Sequence, residues 1–437
     1  MRKIKILFVV PTREWLRIKH FGDRPKGTLF LRLPSLSAAI IATLTPKEYE
    51  FKLIDEQLDF LDYQEKTDLV AITCNTATAN RAYEIAKNYH KKNIPVVLGG
   101  IHPTLNITEA SKYGTVVVGP AEPVWKNLID DFKNNRLKKI YESPISGLEL
   151  ITPDRTVFNG KKYLTTNLIE ASRGCINFCD FCSTASAFNG KYVTKDIAVL
   201  IGEIKNMGSK TILFVDDNLN GDKEYAKKLF KALIPLKIKW GGQITYDFGL
   251  DEEMLKLAQK SGCVGVFIGF DSISNQTLKN FNKIANNADL YKKAIRNIRK
   301  NNIMIQGSFI FGNDGDTNDI FKNTLNFILS SKIDAIFLGI STPLPSTKFY
   351  SKMKKGNRIT DFNWENYDYR HCVIKPLGTT CEEILSGINH IHSQFFRLDR
   401  MFLRFLRTFI ILVKNGSFFW LLSYNLGFLS RIKLLRK

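Results

Sequence analysis

Two successive series of apolar strand-like runs, separated by amphipathic helical stretches, constrain the fold of this chain more than any other feature. In residues 1–140 the apolar runs are Ile4–Val10, Tyr49–Ile54, Leu69–Thr73, Val96–Leu98 and Thr115–Val118. The helical stretches between them are Ser35–Leu44, Ala77–His90 and Glu122–Asn134. Continuous apolar strands alternating with helices predict a parallel sheet with helices on both faces. Residues 1–140 are therefore predicted to form a doubly wound domain of the Rossmann or flavodoxin type, which binds ligands beyond its strand carboxyl ends.

The second series follows a predicted linker at 141–165, which includes a lead-in strand. Over residues 166–345 the predicted strands are Leu168–Ser172, Thr211–Val215, Lys239–Thr245, Val264–Gly269, Met304–Ile310 and Ala335–Ile340. Six strand–helix units fit an open, partial TIM-like (β/α)6 barrel with its site at the strand carboxyl ends. Residues 346–437 are predicted to be a helical C-terminal domain, with one helix over Cys381–Arg400.

Composition excludes several classes of protein. The 437 residues are 44% apolar and 24% charged, which excludes a disordered chain and a polytopic membrane protein. The formal charge of +21 is spread over helical stretches, and no compact basic block with interleaved aromatics precedes residue 397. Nucleic acid is therefore not an expected partner. Seven cysteines are too few for a disulfide-stapled secreted scaffold, and the apolar run Ile6–Val10 is too short for a signal peptide. A cytoplasmic protein is expected.

Three cysteines form the strongest chemical motif. Cys175, Cys179 and Cys182 follow a predicted strand with the spacing C-x3-C-x2-C. Three thiolates on one short loop can bind three irons of a four-iron cluster and leave the fourth iron open. Zinc is the alternative, but a structural zinc site needs a fourth ligand that has no evident candidate. The remaining cysteines are predicted to be buried apolar side chains without chemistry, namely Cys74, Cys263, Cys372 and Cys381.

The cysteine segment, with Phe181 just before its last cysteine, resembles the motif of the radical S-adenosylmethionine superfamily. The doubly wound domain before it resembles a cobalamin-binding domain. Together they resemble the radical S-adenosylmethionine proteins that contain a cobalamin-binding domain. Three further segments resemble the subgroup that includes hopanoid methylases, namely Val215–Asn218, Thr342–Thr347 and Arg370–Val373.

The resemblance implies that a [4Fe-4S] cluster binds S-adenosylmethionine through its open iron and cleaves it reductively to a 5′-deoxyadenosyl radical. The positions that match the family's S-adenosylmethionine contacts are Phe181, Asp216, Asp217, Ser272 and Gly312. Asp216 and Asp217 occupy the place of the usual Gly-Gly-Glu, and helix capping by Asn218 or Asp222 is an alternative role for this segment. Gly312 could equally be an ordinary turn glycine.

The resemblance also implies cobalamin as a cofactor. The residues expected to contact its tail are Thr73, Thr76, Gly99 and Gly100. Absence of a Cβ at a glycine lets a ligand approach the backbone closely. The D-x-H-x-x-G motif is absent, because the loop matched to it here reads Asp55–Phe60 and contains no histidine. His102 is expected to be incidental, and a structural domain without cobalamin is the alternative.

The implied activity is cobalamin-dependent methylation of an unactivated carbon, and no catalytic residue is assigned. One alternative is a radical enzyme that catalyses a rearrangement, cyclisation or oxidation without methyl transfer. A second is a membrane- or nucleic-acid-binding protein with a structural cluster. The implied partners are a small-molecule or lipid-like substrate and an electron donor such as flavodoxin or ferredoxin.

The C-terminal segment 397–437 has nine Lys/Arg residues, one acidic residue (Asp399) and many aromatic side chains. Its longest apolar runs, Phe409–Val413 and Phe418–Leu422, are too short to span a bilayer. A basic amphipathic segment suits an anionic membrane surface. The alternative is that its apolar residues pack on the barrel. The predicted location is therefore the cytoplasm. Peripheral attachment to the inner face of the membrane is left open as an addition to it.

Overall fold

The computed structural model describes residues 3–26 and 32–415, apart from the side chains of 410–415, and contains two six-stranded parallel sheets. The strands of the first sheet are β1 Lys5–Val10, β2 Glu50–Asp55, β3 Leu69–Thr73, β4 Val96–Gly99, β5 Thr115–Val118 and β6 Ile140–Glu142. Their order is β2-β1-β3-β4-β5-β6, so the chain moves outward from β1 in both directions. This confirms the doubly wound prediction and places a crevice beyond the carboxyl ends of the central strands.

Helices cover both faces of the first sheet. They are α1 Leu36–Leu44, α2 Ala79–His90, α3 Ile101–Leu105, α4 Ile107–Ala110 and α5 Trp125–Lys133. Helices α1 and α5 share one apolar core with alternate residues of β1, such as Ile6 and Phe8. Helix α2 packs against the opposite residues, Leu7 and Val9. Burial of both faces explains why these strands are almost continuously apolar.

The second sheet is the partial barrel. Its main strands are β7 Leu168–Ile169, β10 Thr211–Phe214, β11 Lys239–Ile244, β12 Cys263–Asp271, β13 Met304–Phe311 and β14 Ala335–Ile340, with the hairpin β8 Ser172–Gly174 and β9 Tyr192–Thr194 after β7. The sheet order β7-β10-β11-β12-β13-β14 follows the chain, and every pairing in it is parallel. The helices are α6 Ser183–Phe188, α7 Ile197–Met207, α8 Lys223–Leu233, α9 Glu252–Lys260, α10 Asn275–Asn280, α11 Tyr291–Lys300 and α12 Asp319–Ser330.

The barrel is packed on its outer side and open on its inner side. Outward-facing residues, such as Trp240 and Phe270, are fully buried beneath the helices. On the inner face, Val215 and Phe337 remain 39% and 37% exposed. The concave face of the sheet is therefore accessible to a ligand, as the open-barrel prediction requires.

The C-terminal region contains α13 Lys348–Lys355, α14 Cys381–Phe395 and α15 Leu398–Asn415. The predicted single helix Cys381–Arg400 was wrong, because the chain breaks between Phe395 and Leu398. Among the described parts of the chain, no helix is long and apolar enough to cross a membrane. The predicted run Phe418–Leu422, and most side chains of Phe409–Val413, lie outside the described residues.

Three other predictions need correction. Tyr141 and Glu142, assigned to the linker, belong to β6 because they extend the parallel ladder of β5. The lead-in strand is replaced by a 3-10 helix at Arg155–Phe158, whose Phe158 is buried in the core of the first domain. The predicted strand Leu168–Ser172 divides, since only its first two residues join the barrel and Ser172 pairs with β9.

The prediction that all four remaining cysteines are separate buried side chains was half wrong. Cys74 and Cys263 are free and buried. Cys372 and Cys381 form a disulfide, with their Cα atoms 5.7 Å apart. Between these cysteines, Ile374 forms an isolated β-bridge with Ile359, and the chain then reverses direction. This reversal brings Cys381, at the start of α14, next to Cys372.

Candidate active site

The cysteine loop is held at both ends by the β8–β9 hairpin. Gly174, the last residue of β8, has a φ of +88°, and a Cβ there would collide with the carbonyl oxygen of Lys191. Beyond it, the backbone N–H of Asp180 donates to the carbonyl of Phe281 at 2.9 Å, and the N–H of Phe349 donates to the carbonyl of Asp180. The loop is thus fixed to the barrel and to α13 before any cofactor binds.

The three thiols lie in a partly exposed but weakly solvated position. Burial raises the pKa of the Cys179 thiol to about 12, and burial also raises the pKa of Cys182. A thiolate there needs a nearby cation, which cluster iron supplies. Among residues 3–26 and 32–415, no three Cys, His, Asp or Glu side chains converge on a single ion position. Cysteines that ligate different irons of one cluster need not converge, whereas tetrahedral zinc ligands must.

Asp216 and Asp217, the predicted S-adenosylmethionine contacts after β10, brace the cysteine loop. The Asp216 carboxylate accepts hydrogen bonds from the backbone and hydroxyl of Ser172, the latter at 2.6 Å. Burial raises the pKa of Asp216 to about 7. Asp217 accepts from the N–H of Gly174 at 3.1 Å and from the hydroxyl of Thr184 at 3.0 Å. These bonds span the cysteine segment, so both carboxylates position the loop.

Asn218, the residue after Asp217, contacts the cysteine motif itself. The side-chain amide of Asn218 lies 3.8 Å from the Cys175 sulfur, at hydrogen-bond distance for a sulfur acceptor. Hydrogen bonds to cluster thiolates are one means by which a protein tunes a cluster. Asn218 therefore contacts a predicted ligand directly, in addition to any capping role.

A buried lysine that the sequence reasoning missed lies beside the cysteines. Lys283 pairs with Asp271, donates to the carbonyl of Gly269 at 2.9 Å, and lies 5.9 Å from the centre of the Phe181 ring. Burial opposes its charge, but the negative charges of Asp271 and Cys179 prevail and raise the pKa of Lys283. A lysine side chain paired with Asp271 thus lies near Cys179, a predicted cluster ligand.

The other predicted S-adenosylmethionine residues occupy the same end of the barrel. Phe181 packs edge-to-face on Phe281, with ring centres 5.2 Å apart. Ser272 is buried directly after β12, where its hydroxyl accepts from the N–H of Ser274. Gly312 follows β13 with a φ of +85°, and a Cβ there would lie 2.8 Å from Ile384 in α14. Turn geometry and helix packing explain Gly312 without a ligand, whereas Ser272 remains a candidate contact.

A cavity of about 260 Å³, called the first cavity below, lies at the carboxyl ends of the first sheet. Of the predicted cobalamin residues, Thr73, Gly99 and Gly100 line it. A Cβ on Gly99 would meet no atom within 4 Å, so the glycine faces open space. Gly100 differs, because a Cβ there would lie 2.7 Å from the carbonyl oxygen of Cys74. A cavity beneath a Rossmann-type switch point suits the nucleotide tail of a large cofactor.

Thr76, the fourth predicted cobalamin residue, does not line this cavity. Thr76 is buried, and its hydroxyl lies 3.3 Å from Nδ1 of His102. The other ring nitrogen of His102 lies 3.0 Å from the hydroxyl of Tyr83, and burial lowers the pKa of His102 to about 4. The histidine is a neutral core residue with both nitrogens engaged. Neither Thr76 nor His102 lines the cavity.

An ionic network that the sequence did not reveal joins this cavity to the cysteine loop. Arg173 bonds to Glu122 of the first domain at 2.9 Å and to Glu170 at 2.6 Å, and all three residues line the cavity. Burial opposes the charge, yet the two carboxylates raise the pKa of Arg173. Arg173 lies two residues before Cys175, so it connects the loop of one domain with the cavity of the other.

Comparison with known proteins agrees with this arrangement. Residues 169–328 match the radical SAM superfamily, and residues 27–129 match the B12 binding domain. The chain is 30% identical over 410 residues to bacteriochlorophyllide d C-12(1)-methyltransferase of Chlorobaculum tepidum, covering 88% of each protein. This chain belongs to the cobalamin-dependent radical S-adenosylmethionine methyltransferases. Bacteriochlorophyllide d C-8(2)-methyltransferase of the same organism is 33% identical over 78% of this chain and 80% of its own length.

Solved structures show the same fold. The radical S-adenosylmethionine methyltransferase TsrM of Kitasatospora setae, with cobalamin and a [4Fe-4S] cluster bound, aligns with a TM-score of 0.64 at 16% identity over 90% of this chain and 85% of its own. The methyltransferase family uses the cluster, S-adenosylmethionine and cobalamin. When bound, these groups supply the radical and methyl-carrier chemistry, and the protein binds, orients and shields them.

Proposed function

We propose that this methyltransferase acts on an unactivated carbon of a large, mostly apolar ring-bearing molecule, with tetrapyrroles as the first candidate class. One observation carries the proposal. A cavity of about 350 Å³ follows the inner face of the barrel, and Val215 lines both this cavity and the cavity of the first domain. Val215 also directly precedes the aspartates that brace the cysteine loop. The barrel cavity reaches Asp216 beside the cysteine loop and extends along the inner face to Met304 and Ala335, at the starts of β13 and β14. We infer that the reacting end of a substrate lies near Val215, where the two cavities share a lining residue.

The lining of the barrel cavity supports an apolar substrate. It is formed mainly by apolar side chains of the inward face, such as Leu213, Phe267 and Met304. Gln243, Gln306 and the carboxylates of Asp216 and Asp334 add a few polar groups, which is the usual composition of a small-molecule site. The two bacteriochlorophyllide d methyltransferases, at 30% and 33% identity, support a tetrapyrrole as the class to test first. A protein named hopanoid C-2 methylase, from Rhodopseudomonas palustris, is 22% identical over 77% of this chain.

The test supplies methyl-deuterated S-adenosylmethionine, a low-potential reductant and bacteriochlorophyllide d to the reconstituted holoenzyme. Transfer of the deuterated methyl group to the tetrapyrrole, detected by mass spectrometry, is expected. The same assay with a hopanoid is the comparison. Label on the hopanoid and none on the tetrapyrrole would contradict the proposed substrate class. Formation of 5′-deoxyadenosine without methylation of either would contradict both acceptors.

We also propose that α15 rests on an anionic membrane surface, which suits an apolar substrate. Leu398, Phe402 and Leu403 are 79%, 61% and 55% exposed, whereas Arg404 and Thr408 on the other side of α15 are buried. Apart from the buried Arg404, the other eight Lys/Arg residues of 397–437 complement anionic headgroups. A helix with an exposed apolar face and basic flanks binds at the headgroup level.

Sedimentation with lipid vesicles tests this attachment. Wild-type protein is expected to bind vesicles containing phosphatidylglycerol more tightly than vesicles of phosphatidylcholine alone, and salt should weaken the binding. Replacing Phe402 and Leu403 with serine should lower binding by about tenfold or more, since burial of such side chains contributes about 1.5–3 kcal/mol each. Leu385→Ser, at an exposed position of α14, is the control. Equal binding by the double variant and wild type would refute the proposal.

A further inference from the structure

Two arginines from different domains meet where the carboxyl ends of the two sheets face each other. Arg13 follows β1, and its guanidinium bonds to Asp368 at 2.7 Å. Arg370 belongs to the segment after α13, and it lies 5.8 Å from the ring of Trp15. Burial and then the charge of Arg13 lower the pKa of Arg370. Both arginines therefore lie beside Asp368, because the backbone N–H of Arg370 donates to the same carboxylate at 2.9 Å.

Arg13 has a carboxylate partner, whereas Arg370 does not. Asp368 accepts from Arg13 and from Nδ1 of His371 at 2.9 Å, so its two oxygens are already engaged. Within residues 3–26 and 32–415, no carboxylate oxygen lies within 4.0 Å of an Arg370 guanidinium nitrogen. Arg370 remains partly exposed, so a ligand can reach it. An adjacent pair of arginines with one carboxylate carries a net positive charge that an anion would neutralise.

The position of Arg370 connects this charge with the reaction site. The backbone carbonyl of the preceding Tyr369 accepts from the N–H of Ile340 at the end of β14. Arg370 therefore lies beside the carboxyl end of β14, at the end of the barrel that carries the cysteine loop.

The loop that carries Arg13 is ordered. The N–H of Thr12 donates to Glu56 at 3.2 Å, the N–H of Arg17 donates to the carbonyl of Arg13, and Ile18 bonds to the carbonyl of Glu56. Glu56 is itself paired with Arg81. The arginine pair is consequently preorganised, which lowers the entropic cost of binding a ligand.

We propose that Arg370, with Arg13 beside it, binds a carboxylate or phosphate group of the molecule that receives the methyl group. The planar guanidinium presents paired N–H donors that match either anion. This inference rests on the proposed function in taking the bound molecule to be the methyl acceptor. It adds that the acceptor carries an acidic substituent at a fixed distance from the carbon that reacts. The other source of such an anion is the phosphate of cobalamin itself.

The test is isothermal titration of the full-length holoenzyme with inorganic phosphate at constant ionic strength. One saturable site is expected in wild-type protein. Arg370→Gln should weaken phosphate binding roughly tenfold or more, because a charge-assisted hydrogen bond is lost, and Arg370→Lys should fall between the two. Lys19→Gln is the control, since it removes a charge from the same loop where Glu14 already neutralises it. Retained corrin and cluster absorption shows that each variant is folded.

The same titration of protein that holds the cluster but no cobalamin separates the two sources of the anion. Equal phosphate binding with and without cobalamin supports an acceptor site. Binding that disappears when cobalamin is present would overturn the proposal, because the cofactor's phosphate would then occupy the arginines. Absence of a saturable site in wild type, or an undiminished site in Arg370→Gln, would also overturn it. None of these results depends on methyl transfer, so failure of the proposed function is detected separately.

Discussion

Cys179→Ala is expected to lose the iron–sulfur cluster and, with it, all cleavage of S-adenosylmethionine. The three loop cysteines are the only free cysteines of the described chain at this end of the barrel, since Cys74 and Cys263 are buried elsewhere and the other two are joined in a disulfide. With two remaining thiolates, a four-iron cluster has two unligated irons and no distinct site for the substrate. Iron content, visible absorption and production of 5′-deoxyadenosine are the measurements.

Cys263→Ala is the matched control for this variant. Cys263 begins β12 and is buried in the barrel core, away from the loop. Its replacement removes one thiol and leaves the cluster ligands intact, so near-normal iron content and cleavage are expected. Cleavage of S-adenosylmethionine by Cys179→Ala at the wild-type rate would show that the cysteine loop does not hold the catalytic cluster.

Gly99→Val is expected to lose cobalamin while keeping the cluster and the fold. Gly99 has an ordinary backbone conformation and lines the first cavity, and a Cβ added there would meet no protein atom within 4 Å. Forcing extra methyl groups into occupied space costs about 1–3 kcal/mol, which corresponds to roughly a 5- to 140-fold loss of cobalamin affinity. Corrin absorption after desalting measures the loss, and cleavage of S-adenosylmethionine should persist.

Of two other glycines, Gly202 is a suitable control for Gly99→Val and Gly100 is not. Gly202→Val in α7 is the control, because its Cβ also meets nothing within 4 Å and lies far from the cavity. Gly100 is unsuitable for the test, since its φ of +97° and its contact with the Cys74 carbonyl would perturb the backbone. Unchanged corrin binding by Gly99→Val would place cobalamin outside this cavity.

Much of the architecture follows from local sequence patterns. The apolar run Leu69–Thr73 coincides with β3 because burial on both faces favours apolar residues along a parallel strand. The run Ala335–Ile340 coincides with β14, whose inner face lines the open barrel. The cysteine loop could be recognised locally, since its three predicted ligands lie within eight residues of sequence. Thr73 and Gly99 were identified because the carboxyl ends of central strands bind ligands in such folds.

The remaining features depend on contacts between distant segments. Lys283 reaches Asp271 and the cysteine loop only through the turn that follows α10, and nothing in its neighbourhood marks it as buried. The pair Arg173–Glu122 connects two domains, so neither residue has a local signature. The break at Phe395–Leu398 and the disulfide Cys372–Cys381 likewise follow from tertiary packing, which periodicity does not encode.

The most direct test is an absorption spectrum of the full-length protein after anaerobic reconstitution with iron, sulfide and hydroxocobalamin, followed by desalting. The cysteine loop and the cavity at Gly99 are two separate sites on one chain. We therefore expect the protein to retain both the cluster absorption and nearly one corrin per chain. Cluster absorption without corrin would contradict the assignment of the first cavity to cobalamin. Corrin without cluster would contradict the assignment of Cys175, Cys179 and Cys182.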